Sequence, residues 1–421
     1  MADFQLPYGQ QYLSINIPAG LKFGLIKPTD TPGVRNPIKA VKDALEHPLG
    51  GFIFSKFASA QSVAIAVNDK TRPVPHHQLL PPLLEKLEAI GVENHKIKLL
   101  IATGTHKPML EAEFIKVLPK EILDKYTVIS HDCDDEANLV DLGKTSRGTP
   151  IRINRIFYES DLRIVVGDIE PHHFMGFSGG GKSAAIGLAG RETVTKNHAM
   201  LVDPNATVGK YEENPMRQDV EEIGQRIKVS LALNAILNSE KEIVYALAGD
   251  PLQVMLTGIP LTRKISETDI DGLYDLIIAS PGGYPKDINL YQSQKALTHA
   301  ALAVRDGGAV ILVAECIEGI GSAPLEEFIK NISSTADVYD SFILEGFRVG
   351  PHKAFQIALQ ADRIHIFMVS TLPPETIARY FITPATTIDE AVNQALKMIP
   401  HQPRLALMPK AINTIPVINS G

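Results

Sequence analysis

The chain of 421 residues is long enough to form two or three domains, each with its own core. Its formal net charge of −7 comes without a block of lysines and arginines, so a nucleic-acid partner is not expected. No segment approaches the ~20 apolar residues of a membrane span, and Met1–Tyr12 lacks the regions of a signal peptide. We therefore expect a cytoplasmic protein without a membrane partner.

The first third of the chain predicts an α/β repeat. Tyr12–Pro18 alternates apolar and polar residues as a strand does, and Asn36–Leu45 has the spacing of a short helix. Ser62–Val67 and Ile97–Ala102 are continuous apolar runs, which are typical of parallel strands buried on both faces. A predicted helix, Leu80–Ile90, lies between these two strands and ends at a glycine.

Polar residues follow both buried strands directly. Asp69 and Arg72 come after the first strand, and His106 comes after the second. Each alone could be a helix cap, a surface charge or an ordinary loop histidine. In open α/β sheets, however, ligands bind at the carboxyl ends of the strands, so the three together predict a site.

The middle of the chain continues the alternation of helices and strands. The predicted elements are a helix at Glu111–Lys125, strands at Tyr126–Ser130 and Ile151–Ile156, a third buried strand at Leu162–Val166, a helix from Asn214 to Ile227, and a hairpin of Val229–Leu237 and Glu242–Leu247. The loop after the third buried strand carries His172. The pattern of a buried strand followed by a polar loop has then occurred three times.

A glycine run follows His172. Gly176–Ser183 fits the phosphate-binding pattern G-x-x-x-x-G-K-[ST], which would suggest a nucleotide-triphosphate-dependent kinase or ATPase with Asp168 as the magnesium ligand. A P-loop begins directly after a strand, whereas nine residues separate Gly176 from Leu162–Val166. A second alternative is a flexible turn that leads into a helix at Ser183–Leu188. Three consecutive glycines argue against it, because glycines lose more conformational entropy on folding than the residues of an ordinary turn.

A second α/β series begins after a polar boundary at Ser266–Tyr274. Its predicted elements are strands at Leu276–Ser280, Ala309–Ala314 and Ile364–Val369, and helices at Leu290–Val304 and Ile388–Met398. Tyr291 and Lys295 are four residues apart, so they share one face of a helix, and Gln292 flanks that face. The sequence thus predicts two α/β domains with largely parallel sheets, residues 1–270 and 271–421.

Five motifs in this order resemble the lactate racemase family, over most of the chain. They are Asp69-Lys70-Thr71-Arg72-Pro73, Gly104-Thr105-His106, His172 with Gly176-Phe177-Ser178-Gly179-Gly180-Gly181-Lys182, His198, and Asp287-Ile288-Asn289-Leu290-Tyr291-Gln292-Ser293-Gln294-Lys295. The resemblance implies an enzyme with a cleft between its two domains, the N-terminal one binding the cofactor. Its activity would be racemisation or epimerisation of a small 2-hydroxyacid.

The resemblance also implies a cofactor, the nickel-pincer nucleotide pyridinium-3-thioamide-5-thiocarboxylic acid mononucleotide, supplied by cofactor-maturation enzymes. Lys182 would carry it through a thioamide bond, with Ser178, Gly179, Gly180 and Gly181 around it, and His198 would ligate the nickel. An oligomer is possible. Some members of the family have a tryptophan beside the cofactor and this chain has none, so the wall of the substrate pocket differs.

The family's remaining roles fall on matching residues. His106 and His172 would act as acid and base, and Arg72, Gln292 and Lys295 would hold the substrate together with Asp69 and Tyr291. The chemistry agrees, because hydride removal from C2 gives a planar 2-keto acid and each enantiomer then needs its own base for the hydroxyl proton. A binding module that has lost the cofactor is a further alternative, which the nickel content would distinguish.

Overall fold

The computed structural model describes residues 4–16, 23–399 and 402–418. Its strands are β1 (Phe4–Tyr8), β2 (Gln11–Ile15), β3 (Phe23–Leu25), β4 (Val63–Asn68), β5 (Ile97–Ala102), β6 (Thr127–Ser130), β7 (Leu139–Lys144), β8 (Pro150–Asn154), β9 (Leu162–Asp168), β10 (Pro171–His172), β11 (Gly176–Phe177), β12 (Leu231–Leu237), β13 (Ile243–Gly249), β14 (Glu267–Ile270), β15 (Tyr274–Ala279), β16 (Val304–Val313), β17 (His365–Val369), β18 (Thr383–Ala385), β19 (Leu405–Met408) and β20 (Ile415–Ile418). Its helices are α1 (Pro37–Glu46), α2 (His76–Ala89), α3 (Lys120–Lys125), α4 (Arg155–Glu159), α5 (Lys182–Ala185), α6 (Arg191–His198), α7 (Pro215–Ile227), α8 (Pro251–Ser266), α9 (Leu290–Ala301), α10 (Ala323–Ile329), α11 (Thr335–Glu345), α12 (Pro351–Ala361), α13 (Pro374–Ala378) and α14 (Ile388–Ala395).

The chain divides into two compact units. We call Asp30–Ile265 the N-terminal unit, and Met1–Thr29 with Ser266–Gly421 the C-terminal unit. The division predicted from the sequence, residues 1–270 and 271–421, places the first residues of the chain in the N-terminal domain, whereas the structure groups Met1–Thr29 with the C-terminal unit. They group with the C-terminal half because β3 runs parallel to β19 at the edge of that unit's sheet.

The N-terminal unit is built on a six-stranded sheet of order β13-β12-β9-β4-β5-β6. Its neighbouring strands are parallel, apart from β13, which forms the predicted antiparallel hairpin with β12. Asn68, the last residue of β4, lies opposite Ala102, the last residue of β5. The loops that begin at Asp69 and Thr103 therefore leave the same edge of the sheet side by side.

The C-terminal unit has its own six-stranded sheet, of order β18-β17-β16-β15-β19-β3. Neighbouring strands in it are parallel throughout. Together the two sheets confirm the predicted α/β class with largely parallel sheets. They also explain why the central strands consist of continuous apolar runs, since both faces of such strands are buried.

Separate hydrophobic cores support the two units. In the N-terminal unit, side chains of α1 and α2 such as Val41 and Leu83 pack with β4, β5 and β9. In the C-terminal unit, Ile388 and Val392 of α14 pack with β15, β16 and β17. A fully buried aliphatic side chain contributes about 1.5–3 kcal/mol. Among the described residues, no helix is long and apolar enough to cross a membrane.

Several predicted elements differ from the observed ones. The single helix predicted at Glu111–Lys125 is wrong, because a 3₁₀ turn at Glu111–Lys116 and α3 are separated by Pro119, which cannot donate a helical hydrogen bond. Ile364–Val369 is not the last strand, since β18, β19 and β20 follow β17. The strand predicted at Tyr12–Pro18 is confirmed as far as Ile15, while Ile17 and Pro18 lie outside the described residues.

Candidate active site

A histidine and a carboxylate meet where β4 and β5 end. His106 Nδ1 lies 2.7 Å from Asp69 Oδ2, and the His106 side chain is 47% exposed whereas that of Asp69 is 5% exposed. The backbone carbonyl of Thr103 accepts from the His106 amide, which fixes the turn after β5. Asp69 thus holds the ring with a proton on Nδ1, which leaves Nε2 as a hydrogen-bond acceptor facing outward.

Asp69 is itself fixed as an anion. Burial alone would raise the pKa of Asp69, but the hydrogen bonds from His106 and Thr71 outweigh it and lower the pKa. Thr71 donates to Asp69 Oδ1 from its amide, at 3.1 Å, and from its hydroxyl, at 2.7 Å. The Arg72 amide donates to the Asp69 carbonyl, so Arg72 is held on the same turn. Asp69 thus contacts His106 in the structure, and the contact with the substrate that we expect for Asp69 stays a prediction.

The glycine loop, which we define as Gly176–Gly181, begins in a small hairpin that the sequence does not predict. The strands of this hairpin are β10 and β11, and His172 lies opposite Gly176. Ser178 Oγ donates to the Asp168 carbonyl at 2.9 Å and accepts from the Glu170 amide at 2.9 Å. Ser178 therefore ties the loop to the end of β9, and its contacts are with the protein backbone.

Three positions of the glycine loop require glycine. One is Gly176, which has a φ of +72° and where a Cβ would overlap the Lys210 carbonyl oxygen. Gly179 and Gly180 have φ values of +85° and +57°, a region that side chains rarely adopt. A Cβ at Gly179 would lie 2.6 Å from Ile169 Cγ1, and one at Gly180 would lie 2.6 Å from Met255 Cγ. Gly181 has φ of −69° and precedes α5 as its N-cap. Protein atoms thus occupy the place that a side chain would need at Gly179 and Gly180, so the shape of the loop depends on glycine.

Lys182 begins α5 directly after this loop. Burial, together with the charges of Arg72 and Arg217, lowers the pKa of Lys182 to about 7, against the opposing charges of Glu170 and Asp168. A large fraction of the amine is therefore unprotonated near neutral pH. An unprotonated amine is the form of lysine that attacks an electrophilic carbon.

His198 is the last residue of α6, an element that the sequence does not predict. Burial, with the charge of Lys182, lowers the pKa of His198 to about 3, so its ring is neutral at pH 7. The neighbouring residue, Asn197, is buried and donates to Asp219 Oδ2 at 2.9 Å and to the Met216 carbonyl at 3.0 Å. These bonds fix the end of α6, and a neutral imidazole is the form that binds a transition metal.

His172 lies in β10 beside His173, and their rings stack with centroids 4.7 Å apart. The Met175 amide donates to His172 Nδ1 at 3.3 Å. A neutral His172 ring therefore carries its proton on Nε2 and presents a donor there, whereas His106 presents an acceptor. The two predicted catalytic rings thus differ in what each offers a hydroxyl group.

The remaining predicted residues lie in the C-terminal unit, on the first turns of α9. Asn289 caps this helix by accepting from the Gln292 amide at 3.0 Å. Lys295 Nζ donates to Gln292 Oε1 at 2.6 Å, which confirms that both side chains lie together. The Tyr291 ring is in contact with two consecutive residues of α12, His352 with ring centroids 5.9 Å apart and Lys353 with Nζ 5.2 Å from the centroid.

The N-terminal unit contains further charged residues that the sequence reasoning did not assign to the site. Glu170 and Lys241 pair at 3.1 Å, and both act electrostatically on Asp168. Arg217 and Asn234 contact the glycine loop and are described below. Arg217 could have been noticed from its four-residue spacing to Glu221, but its contact with the loop depends on residues about 40 positions away.

The P-loop alternative does not agree with the geometry. The hairpin of β10 and β11 stands between the end of β9 and Lys182, whereas a P-loop connects strand and helix directly. Burial, with the charge of Glu170, raises the pKa of Asp168 to about 7.

The residues around Lys182 fit a covalently bound, metal-carrying nucleotide. Gly179 and Gly180 give the loop its left-handed turn, Lys182 offers a largely unprotonated amine and His198 a neutral imidazole. A group of three potential metal ligands, Asp132, Cys133 and Asp134, lies elsewhere and does not include His198. A metal at His198 would therefore take other ligands from the group that carries it, as a pincer cofactor provides.

Comparisons with known proteins give matches over nearly the whole chain. The family descriptions "Lactate racemase N-terminal domain" and "Lactate racemase C-terminal domain" match residues 8–209 and 271–416. The lactate racemase of Thermoanaerobacterium thermosaccharolyticum is 28% identical over 99% of both chains, and that of Lactiplantibacillus plantarum is 29% identical over 90% of both.

Two solved structures are similar as well. The lactate racemase apoprotein from T. thermosaccharolyticum has a TM-score of 0.92 at 28% identity, covering 99% of this chain and 100% of its own. A Thermotoga maritima protein has a TM-score of 0.66 at 18% identity over 93% of this chain and 100% of its own, which shows a shared fold. The chain therefore belongs to the lactate racemase family and is an enzyme of the isomerase class.

Proposed function

We propose that this racemase inverts C2 of a small 2-hydroxyacid by reversible hydride transfer, and that lactate is the first substrate to test. The observation that carries the proposal is the glycine loop with Lys182 behind it, where burial and neighbouring cations lower the pKa of the amine to about 7. The relatives named lactate racemase supply the substrate class.

Lys182 would hold the nickel-pincer nucleotide covalently and His198 would ligate its nickel. When bound, that cofactor would supply a hydride acceptor, which allows inversion without removal of a weakly acidic α-proton. Gly179 and Gly180 would shape the loop around the nucleotide through their left-handed backbone conformations. Ser178 would act indirectly, by tying the loop to Asp168 and Glu170.

His106 and His172 would move the hydroxyl proton. Asp69 holds His106 with Nε2 free to accept a proton. The ring that gives a proton would do so from its imidazolium form, because a neutral imidazole is far too weak an acid. One enantiomer would lose its hydroxyl proton to one ring, and the planar 2-keto acid would be returned to the alcohol with a proton from the other. The opposite enantiomer would use the same two rings in reversed order.

Arg72 would fix the substrate carboxylate, since a guanidinium binds a carboxylate through two parallel hydrogen bonds. The α9 residues Tyr291, Gln292 and Lys295 would bind polar groups of the substrate, as the resemblance implies. We further propose that the enzyme works in the cytoplasm, that maturation enzymes deliver the cofactor, and that neither nucleic acid nor a membrane is a partner. An oligomer is compatible with these roles.

The test is to co-express the chain with the cofactor-making enzymes and measure nickel, the mass of the Lys182 peptide and racemisation of each pure lactate enantiomer. We expect about one nickel per chain, an adduct on Lys182, and conversion in both directions. Lys182→Ala should lose the adduct and all activity, and His198→Ala should lose nickel. His173→Ala serves as the matched control and should keep both.

Active, nickel-containing protein with an unmodified Lys182 would refute covalent attachment. Equal nickel in His198→Ala and wild type would refute the metal assignment. If nickel and the adduct are present but lactate is not converted, the cofactor assignment stands and the substrate is another 2-hydroxyacid, to be sought among longer and more polar side chains.

A further inference from the structure

The glycine loop would be flexible if nothing outside it held its backbone. Successive glycines have more conformational freedom to lose than other residues, so a fixed shape needs specific partners. Two buried side chains from other elements provide them. They are Arg217 in the first turn of α7 and Asn234 in β12.

Arg217 contacts the loop through its carbonyl groups. It is 0% exposed, and its Nη1 and Nη2 donate to the carbonyls of Phe177 and Gly179, each at 3.1 Å. Its charge is balanced by Glu221, which accepts from Nε at 2.9 Å and from Nη2 at 2.5 Å. The Tyr211 hydroxyl also donates to Glu221, at 2.9 Å. These hydrogen bonds offset the cost of removing the buried ion pair from water.

Asn234 contacts the loop through an amide. It is 1% exposed, and its Oδ1 accepts from the Gly180 amide at 2.8 Å. Its Nδ2 donates to the Leu233 carbonyl at 3.1 Å, so the side chain cannot turn away without losing a bond. A polar side chain in the middle of a buried strand is costly unless it is satisfied, and the loop amide satisfies this one.

The two anchors act on one peptide group. The carbonyl of Gly179 is bonded to Arg217, and the amide of Gly180 is bonded to Asn234. The peptide that joins these two glycines is therefore held at both of its polar ends. Lys182 follows two residues later, and its own amide donates to the Gly179 carbonyl at 3.3 Å.

We propose that Arg217 and Asn234 are positioning residues that preform the glycine loop as a cradle for the cofactor of Lys182. This inference takes the identity of the ligand from the proposed function. The shape of the loop follows from the hydrogen bonds alone and does not depend on that function. A preformed cradle binds its ligand without a further loss of chain entropy. Loss of either anchor should therefore reduce cofactor loading, while protein that has been loaded turns over nearly as the wild type does.

The variants separate the anchor from general stability. Arg217→Lys keeps the buried charge but cannot bond two carbonyls and Glu221 at once, and Asn234→Leu keeps the size but removes the acceptor. Arg226→Lys is the matched control, because Arg226 lies on the same helix α7, is half exposed, and pairs with Glu222 at 3.5 Å. Its ion pair is with Glu222 on the same helix, so it reports the effect of changing an arginine on α7.

The first measurement is hydrogen exchange in cofactor-free protein, over the peptide of residues 176–183. We expect exchange to rise about tenfold or more in Arg217→Lys and Asn234→Leu, the size expected for losing hydrogen bonds of a charged or buried group. Other peptides and the Arg226→Lys protein should exchange as the wild type does. Wild-type exchange of the loop in both variants would overturn the proposal. So would a rise that is equal in every peptide of the chain.

The second measurement is the fraction of Lys182 that carries an adduct after co-expression with the cofactor-making enzymes, and the turnover per loaded site. We expect the loaded fraction to fall in both variants and turnover per loaded site to change little. A full loaded fraction in both would overturn the role in cofactor uptake. If wild-type Lys182 carries no adduct while the loop still loosens, the anchors are supported and the proposed function is refuted instead.

Discussion

The two units present their candidate residues in different ways. In the N-terminal unit these residues lie on loops that side chains from other elements hold, as Asp69 holds His106 and Arg217 holds the glycine loop. In the C-terminal unit Tyr291, Gln292 and Lys295 lie on one regular helix, α9. A loop can place groups at any angle but needs anchors, whereas a helix face needs only the right spacing.

The electrostatic surroundings of the candidate residues are a second point of comparison between the two units. Lys182, Asp168 and His198 in the N-terminal unit perturb one another, and the pKa of each lies far from its ordinary value. Such coupled groups are typical of places where bonds are made or protons move. On α9, Lys295 donates a hydrogen bond to Gln292, and Asn289 caps the helix at the Gln292 amide. We therefore propose that the bond-making groups lie in the N-terminal unit, where Arg72 would hold the substrate carboxylate, and that α9 binds other polar groups of the substrate.

The largest effects should come from the two rings of the N-terminal unit. His106→Ala and His172→Ala should each lower racemisation about 10²–10⁴-fold in both directions, because one cycle uses both rings once. Each variant should still reduce its bound cofactor with one enantiomer, and the two variants should prefer opposite enantiomers. Single-turnover absorbance with each pure enantiomer measures this.

His173→Ala is the control for that experiment, since the ring of His173 stacks on His172 without being assigned to the chemistry. If both variants lose reduction by both enantiomers equally, the rings do not serve opposite faces of the substrate. One of them then positions the other groups, and the assignment of both as acid and base is wrong.

A smaller loss of activity is expected when Asp69, which holds the His106 ring, is changed and the ring itself remains. Asp69→Asn should lower kcat about 10–10²-fold, the worth of a hydrogen bond to a charged group, because Nδ1 of His106 is then no longer held as a donor. KM should change little. Asp43→Asn, on the exposed Lys39–Asp43 pair of α1, is the control and should have no effect.

Asp69→Asn should also change the dependence of stability on pH. The pKa of Asp69 is below its ordinary value of 3.8, so its ionised form stabilises the folded protein. That contribution is full well above pH 3.8 and is lost as the pH falls through the lower pKa of the folded state. Urea unfolding should therefore show wild type and variant converging in stability at low pH. If the difference in unfolding free energy between the two proteins stays constant down to the lowest pH, the lowered pKa of Asp69 is contradicted.

The sequence predicts the sheets well because their central strands are buried on both faces. The strands Val63–Asn68 and Ile97–Ala102 consist mostly of apolar residues, a pattern that is typical of buried parallel strands. The ends of these strands fix where Asp69 and His106 must lie. The spacing of Gln292 and Lys295 likewise follows from helical geometry alone. These are local patterns, and each is complete within about ten residues.

What the sequence does not reveal depends on contacts between distant parts of the chain. Asn234 lies 54 residues from the glycine it holds, and nothing in its neighbourhood distinguishes it from another buried strand residue. The pairing of β3 with β19 joins Phe23 to Leu405. The hairpin of β10 and β11 has strands of only two residues, too short for any period to show. The break at Pro119 is different, because the proline was visible in the sequence.

The smallest effect should come from α9, and it tests the assignment of substrate binding to this helix. Lys295→Met removes the cation that bonds Gln292 and that we assign to the substrate. We expect KM to rise about tenfold, the worth of one hydrogen bond from a charged group, with kcat nearly unchanged. The reason is that a group which binds the substrate and the transition state equally lowers KM without accelerating the chemical step. Lys330→Met, on an exposed lysine of the same unit that pairs with Glu327, is the control. A fall in kcat as large as that of Asp69→Asn would place Lys295 in the chemistry, and the two units would then share the work that we assign to one of them.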